Sequence, residues 1–455
     1  MARAGAARGE IQMTEGSLWK NILLFSIPLV FSQLLQVMFN MADVAVVGKF
    51  ASDTALGSVG STSTLVTLFT GFLIGMGNGV NVRVAQHLGA QHREETSRAV
   101  HTAFLLCLLA GLGIMALCLA LAANMLEMLH TKDDLLPGAV LYFRIYALGM
   151  PALGIFNFGN AVLSANGDTK RPLLYLTIAG ILNVILNLFF VIVCKMAADG
   201  VALASVISQY VSAILVVWHM MRLNDACKFY FQRLRFHGDE VGRILGLGVP
   251  AGIQHMIFAI ANLFIQAAVN SFDSTMVSGN AAAANTDTII YNIMMAFYTA
   301  CSTFMGQNWG AGHKKRMMDS YLISLFYAFA VAAVLGVAFY FAGRPFLYVF
   351  TNSADVVEAG MQRMKIMCFS YAISAFMDNT IAACRGLGRT IVPTVVVIMG
   401  SCVFRVIWVY TIFAHYHTIP SLYLLYAFSW TITAAAEIVY FLHCFRKLRL
   451  VPETA

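Results

Sequence analysis

FLLCLLAGLGIMALCLALAA, residues 104–123, runs for twenty residues without a charged, hydroxyl or amide side chain. At about 1.5 Å of rise per residue, such a helix spans the ~30 Å hydrocarbon core of a bilayer. The stretch, with its flank from residue 98, reads as a transmembrane helix. Comparable runs lie at 20–46, 57–81, 139–163, 172–194, 199–222, 242–268, 280–305, 317–342, 360–384, 392–413 and 420–445, so the sequence predicts twelve spans, 98–123 being the third. Of the 455 residues 59% are hydrophobic and 11% charged, against about 25% charged in soluble domains. The N-terminal MARAGAARGEIQMTEGS lacks the apolar core of a signal peptide, so the first run is expected to stay in place.

The basic residues orient these spans. With twelve, both termini and the even-numbered loops share one side, and they hold 21 of the 29 Lys and Arg residues. Seven more (Lys49, Lys132, Arg144, Lys195, Arg344, Arg363 and Lys365) fall at the opposite ends, and Arg405 lies inside the eleventh span. The positive-inside rule then places both termini in the cytoplasm. It also accounts for the net charge of +7 without a nucleic-acid partner.

The two halves repeat. Gln86, Gly89, Ala90 and His92 recur as Gln307, Gly310, Ala311 and His313, and Gly167, Thr169 and Pro172 as Gly388, Thr390 and Pro393, all at an offset of 221. Ile27-Pro28 answers Val249-Pro250 at 222. Six spans per copy make the copies parallel, related by a pseudo-two-fold axis along the membrane normal. The expected organisation is all-α: an N-lobe at 1–221, a cytoplasmic connection at 222–243 and a C-lobe at 244–455. A substrate pathway at the lobe interface follows from that plan.

Three segments carry a family resemblance: Ser26-Ile-Pro-Leu with Met-Phe-Asn40-Met-Ala-Asp43 and Gly48, Phe304-Met-Gly-Gln307-Asn308-Trp-Gly310-Ala311, and Arg385-Gly386-Leu-Gly388. They resemble the first helix, the signature after the eighth helix and the close of the tenth in multidrug and toxic compound extrusion (MATE) transporters. The resemblance covers nearly the whole chain and is nearer the DinF-like bacterial branch than the sodium-type NorM branch. It implies two six-helix lobes in a V, and export of organic, often cationic, compounds against protons or sodium. It also implies a coupling role for Asp43 and a place in the plasma membrane of a prokaryote.

Ionisable groups inside a bilayer are functional candidates by default. Gln36, Asn40 and Asp43 share one face of the first helix at i, i+4 and i+7. A carboxyl group there can take up and release a proton; alternatively it caps the helix near Lys49. Asn183 and Asn187 in the fifth helix are candidate partners, although some prokaryotic relatives carry an Asp at the second position. Asp378 in the tenth helix completes the coupling set, with a sodium ion near Asp43 or Asp378 as the variant. Asn157, Asn160, Gln209, Gln254, His255, Asn262 and Asp287 are cavity candidates, each equally able to bond only a neighbouring helix. Arg405 is a counter-ion to Asp378 or a brace on backbone carbonyls. Pro28 and Pro250 are hinges, or sit harmlessly in first turns. Span 242–268 holds no Glu of the kind seen in several sodium-coupled relatives.

The exclusions are equally informative. No phosphate-binding G-x-x-x-x-G-K-[ST] or zinc-binding H-E-x-x-H motif occurs, so the chain is expected to be no enzyme and to use no cofactor, with an ion gradient as its energy source. The nine cysteines lack metal spacing and read as small apolar residues. The expected partners are drug-like small molecules and membrane lipid, and the expected working form is a monomer. The competing activity is a flippase for lipid-linked oligosaccharide precursors, disfavoured by sparse, acid-leaning intramembrane charge.

Overall fold

The computed structural model describes residues Ile11–Leu448; Arg3, Arg8 and Arg449 of the charge count lie outside them. Its helices are α1 (Leu18–Phe50), α2 (Asp53–Gly89), α3 (Arg93–Met128), α4 (Leu136–Ala147), α5 (Met150–Ala165), α6 (Lys170–Leu188), α7 (Ala198–Met221), α8 (Gly238–Val269), α9 (Ser274–Gly310), α10 (Lys314–Leu347), α11 (Ala354–Gly386), α12 (Ile391–Tyr416) and α13 (Ile419–Arg446). Eleven are long and apolar enough to cross a membrane, α6 being extended to Val193 by a π-helical turn. The twelfth span is a broken one: α4 and α5 meet at a bend of 44°. The bend falls at Leu148-Gly149, just before Pro151 opens α5, where a proline is tolerated because the first-turn N–H has no partner to lose. Each predicted span falls on one of these helices, except 139–163, which falls on the bent pair α4 and α5.

Large apolar side chains point outward as readily as inward. Phe341 is 79% exposed and Val334 67% exposed, as lipid allows and water does not. Helix starts are capped where the chain leaves the apolar region: Ser52 accepts from Ala55 N at 3.1 Å, Asp273 from Met276 N at 2.9 Å, and Thr418 and Ser421 form a reciprocal capping box.

The repeat is visible in hydrogen bonds as well as letters. His92 N bonds to His87 O and His313 N to Asn308 O; Asp168 N bonds to Leu163 O and Arg389 N to Cys384 O. Each is the 6→1 bond of a Schellman close. The residue before it takes positive φ: Gln91 (58°), Gly312 (78°), Gly167 (91°) and Gly388 (78°). The repeated blocks thus mark helix stops shared by the two copies; Thr131 N to Leu126 O, after His130 (56°), closes α3 in the same way.

The described chain forms two compact units. One comprises Ile11 and Phe31–Met256; the other comprises Gln12–Val30 and Ile257–Leu448. Two helices therefore change unit partway along, α1 after Val30 and α8 after Met256. Pro28 and Pro250 lie inside these helices, in neither case in a first turn.

In the first unit, the stem of α8 is locked onto α2. Gly75 and Gly79 face Gly252 and Gly248: a Cβ on Gly75 would stand 2.3 Å from Gly252 N, and one on Gly79 2.5 Å from Gly248 N. Gly71 meets the His255 side chain at 3.1 Å, so the small-xxx-small row is a packing face. Because backbone rather than a flexible side chain blocks the space, Gly75→Val is expected to leave little monodisperse protein on size-exclusion chromatography, whereas Gly113→Val, with nothing within 4 Å, should purify normally. At its start α8 takes in Glu240, N-terminal to the predicted 242–268. Arg83 Nε and Nη2 donate to Glu240 at 2.8 and 2.7 Å, and His87 Nε2 lies 3.0 Å from it. The connection before α8 is docked on α3: Tyr230 N donates to His101 Nε2 at 3.0 Å, and Phe229 stacks on the same ring. That docking buries Cys227, the one cysteine outside the apolar runs; only Cys194 is exposed.

In the second unit, the segment before α1 is held by the signature of α9. Asn308 Nδ2 donates to Met13 O at 3.2 Å. Arg316 donates to Met13 O, Glu15 O and Gly16 O at 3.2, 3.2 and 3.0 Å.

Candidate functional site

Three helices of the first unit converge on Asp43. The carboxylate lies on α1 seven residues before its end; Asn183 and Asn187 project one turn apart from α6, and Ser205 comes from α7. Asn187 Nδ2 donates to Asp43 Oδ1 at 2.5 Å and to Asn183 Oδ1 at 3.2 Å; Asn183 Nδ2 donates to Ser205 Oγ at 3.3 Å, and Ser205 Oγ to Asp43 Oδ2 at 3.4 Å. Asn183 and Asn187 are buried. The interactions resolved at Asp43 are these uncharged donors, with no basic group among them. Tyr142 and Tyr146, stacked at 6.0 Å on α4, lie within electrostatic range of it. An acidic group met only by neutral polar groups can be neutralised by a proton or a small cation. Asn187 Oδ1 is buried with no hydrogen-bond partner, so one acceptor of the network stays open.

The structure thus brings Asp43, Asn183 and Asn187 together and adds Ser205, which the sequence reading missed. A serine 162 residues from the aspartate, in an apolar helix holding other serines, gives no sequence signal of its own. Gln36 and Asn40 are exposed on α1 and do not join the network. Gln209 lies against the Cα of Gly149 on the neighbouring α7–α4 contact. Asn157 donates to Leu153 O of its own helix at 3.0 Å, and Asn160 accepts from Ser164. Gln254 is buried and His255 half-buried on the α8 stem.

In the second unit Asn262 is exposed. Asp287 is buried and ion-paired with Arg363. Arg363, expected at a helix end, also donates to Tyr423 OH at 3.0 Å and to Asn280 O at 3.3 Å. Asp287→Ala would leave that guanidinium without its counter-charge, a loss of about 3–5 kcal/mol by analogy with broken buried pairs, read as a lowered midpoint of thermal unfolding in detergent. Asp378 lies within electrostatic range of Arg405 and Arg385. Glu437 is fully buried, its two oxygens unbonded, within range of Arg385. Among the described residues no group of three His, Cys, Asp or Glu could hold a metal ion.

The MatE family model matches the chain twice, over residues 28–189 and 250–411. The two matches begin 222 residues apart, the offset of Pro28 and Pro250. The probable multidrug resistance protein YpnP of Bacillus subtilis is 29% identical, over 79% of this chain and 80% of its own. The FAD transporter of Shewanella oneidensis is 23% identical, over 74% and 75%. A solved structure of a MOP-superfamily transporter from Pyrococcus furiosus shares the fold with a TM-score of 0.90, over 97% of this chain and 99% of that one, at 19% identity. With both halves of the chain matched and the helices in the same arrangement, the chain belongs to the MatE family of multidrug efflux transporters.

Proposed function

We propose that the protein exports organic, cationic or amphipathic compounds from a prokaryotic cell by antiport with protons, through alternating access of its two six-span halves. The observation that carries this reading is the Asp43–Asn187–Asn183–Ser205 network, an intramembrane carboxylate met by neutral donors. Such a carboxylate can exist charged or protonated without breaking an ion pair. Loading and unloading it changes the charge on α1, one of the two helices whose ends belong to different units. Pro28 and Pro250 are the hinges of these helices, since each removes an i→i−4 bond from its ladder.

A sodium-coupled variant is favoured by one observation, the unpartnered Asn187 Oδ1, which could complete an oxygen shell around a small cation at Asp43. The absence of a Glu between residues 242 and 268 favours the proton and the DinF-like branch. A flippase for lipid-linked sugars is not favoured, because the MatE family match and the multidrug resistance relative YpnP support drug export. The working unit is a monomer oriented with both termini in the cytoplasm, and it needs no cofactor beyond the ion gradient.

The test is transport of a fluorescent organic cation by the full chain in proteoliposomes, with proton and sodium gradients imposed separately. Cation movement driven by the proton gradient alone supports the proposal. Movement driven by sodium alone selects the variant, and movement under neither gradient overturns ion-coupled export of this cargo class.

A further inference from the structure

Residues 222–237, between α7 and α8, carry four basic residues (Arg222, Lys228, Arg233 and Arg235) against one acid, Asp225, with four aromatic residues among them. By sequence alone these cations are topology signals. Their placement in the structure says more.

The two sides of the segment differ. Leu223, Cys227 and Phe229 are buried, and Phe229 packs on Phe104 and Phe158 with ring centroids at 4.8 and 6.4 Å. Phe104 opens the long apolar run of α3, so Phe229 fixes the segment at the edge of the hydrocarbon region instead of clear of the membrane. Thr102 Oγ1, donating to Arg235 O at 3.3 Å, and the bond from Tyr230 N to His101 hold the rest of it at that level. The other side is open: Tyr230, Phe231 and Phe236 are exposed, the last two by 55% and 47%. Rings exposed in this number are unusual in water and ordinary in the head-group layer of a bilayer.

The cations stand against these rings. Lys228 Nζ and Arg233 Cζ lie 5.4 and 4.8 Å from the centroid of the same Tyr230 ring, and Arg222 Cζ lies 3.8 Å over exposed Trp218 near the end of α7. Among the described residues none of the four cations is in an ion pair. Asp225 is occupied by Asn166 Nδ2 and Cys227 N, both at 2.8 Å, and Glu240 by Arg83 and His87.

We propose that this segment is a membrane-surface site for anionic phospholipid. Lys228 and Arg233 share a head-group phosphate beside Tyr230, Arg222 and Arg235 attract its neighbours, and Phe231 and Phe236 dip among the upper carbons of the acyl chains. The complementarity is of charge and of depth: un-neutralised cations meet lipid phosphates at the level where the rings leave water.

The test is lipid retention by the detergent-purified full chain, counted by native mass spectrometry at increasing phosphatidylglycerol, with phosphatidylcholine alongside. Wild-type protein should retain phosphatidylglycerol in preference. Lys228→Gln, Arg233→Gln, Arg235→Gln protein should need on the order of a hundredfold more of it for equal occupancy, at about fivefold per basic residue lost. Arg93→Gln, Lys315→Gln, Arg446→Gln protein loses the same charge at exposed positions outside the segment and should match wild type. Equal weakening of the two variants would show attraction by net charge alone and overturns the proposal, as does equal retention of the two lipids by wild type. Displacement of the lipid by inorganic phosphate at equal concentration assigns the site to a soluble anion and also overturns it. Hydrogen exchange of the full chain in nanodiscs needs no substitution: amides of residues 230–236 should exchange several-fold more slowly in phosphatidylglycerol than in phosphatidylcholine. Equal rates overturn the proposal and leave the segment open to a soluble partner.

Discussion

Asp43→Asn is expected to abolish ion-driven export while leaving the protein folded. The substitution keeps the side-chain volume and one acceptor oxygen, so α1 can still meet Asn187 and Ser205. It removes the only group of the network that changes charge. Uphill transport of a fluorescent cation in proteoliposomes should fall to the level of empty vesicles, and the unfolding midpoint should move by no more than a few degrees. Asp43→Glu tests the geometry: the network closes on both oxygens within 3.4 Å, and an extra methylene displaces one or both. Transport is therefore expected to be strongly reduced rather than lost. Wild-type export by Asp43→Asn protein would eliminate the network as the coupling site.

Glu240→Ala is expected to have the largest effect on stability. The carboxylate takes two hydrogen bonds from Arg83 and faces His87, and the side chains of Glu240 and Arg83 are 7% and 8% exposed. Removing the acid leaves a guanidinium and an imidazole buried without their acceptor, a loss of about 3–5 kcal/mol. Removing both ends, as in Arg83→Met with Glu240→Leu, should recover most of it, because an apolar pair has no charge to desolvate. Thermal unfolding of the three proteins in the same detergent distinguishes an ion pair required by its own burial from one that contributes net stability. Equal losses in the single and double variants would show that the α2–α8 contact needs the pair itself.

Much of the architecture was legible because the membrane forces it. Twenty apolar residues have few alternatives, and the Schellman closes at Gln91, Gly167, Gly312 and Gly388 show in the letters as a repeated Gly-Ala or Gly-x-x signature. Asp43, Asn183 and Asn187 were legible because polar groups at i, i+4 spacing on apolar helices stand out. The partners were harder. Ser205 resembles any helix serine, and Arg363 looks like a topology signal until α9 brings Asp287 to it. Glu240 was missed because hydropathy starts the seventh span at residue 242, whereas the helix begins at Gly238, about one turn earlier in the polar flank.

One minor feature has a practical use. Seven of the nine cysteines are buried, Cys444 is half-buried and Cys194 alone is exposed, at the end of the span that carries Asn183 and Asn187. The native chain is therefore nearly a single-thiol protein. A membrane-impermeant maleimide added to intact cells should modify Cys194, and Cys194→Ser should abolish that labelling. Reaction only after the cells are opened would reverse the proposed orientation. A fluorophore at the same thiol would sit at the end of the helix that carries Asn183 and Asn187, where a change in emission on adding protons or sodium would test the proposed ion loading without an engineered cysteine.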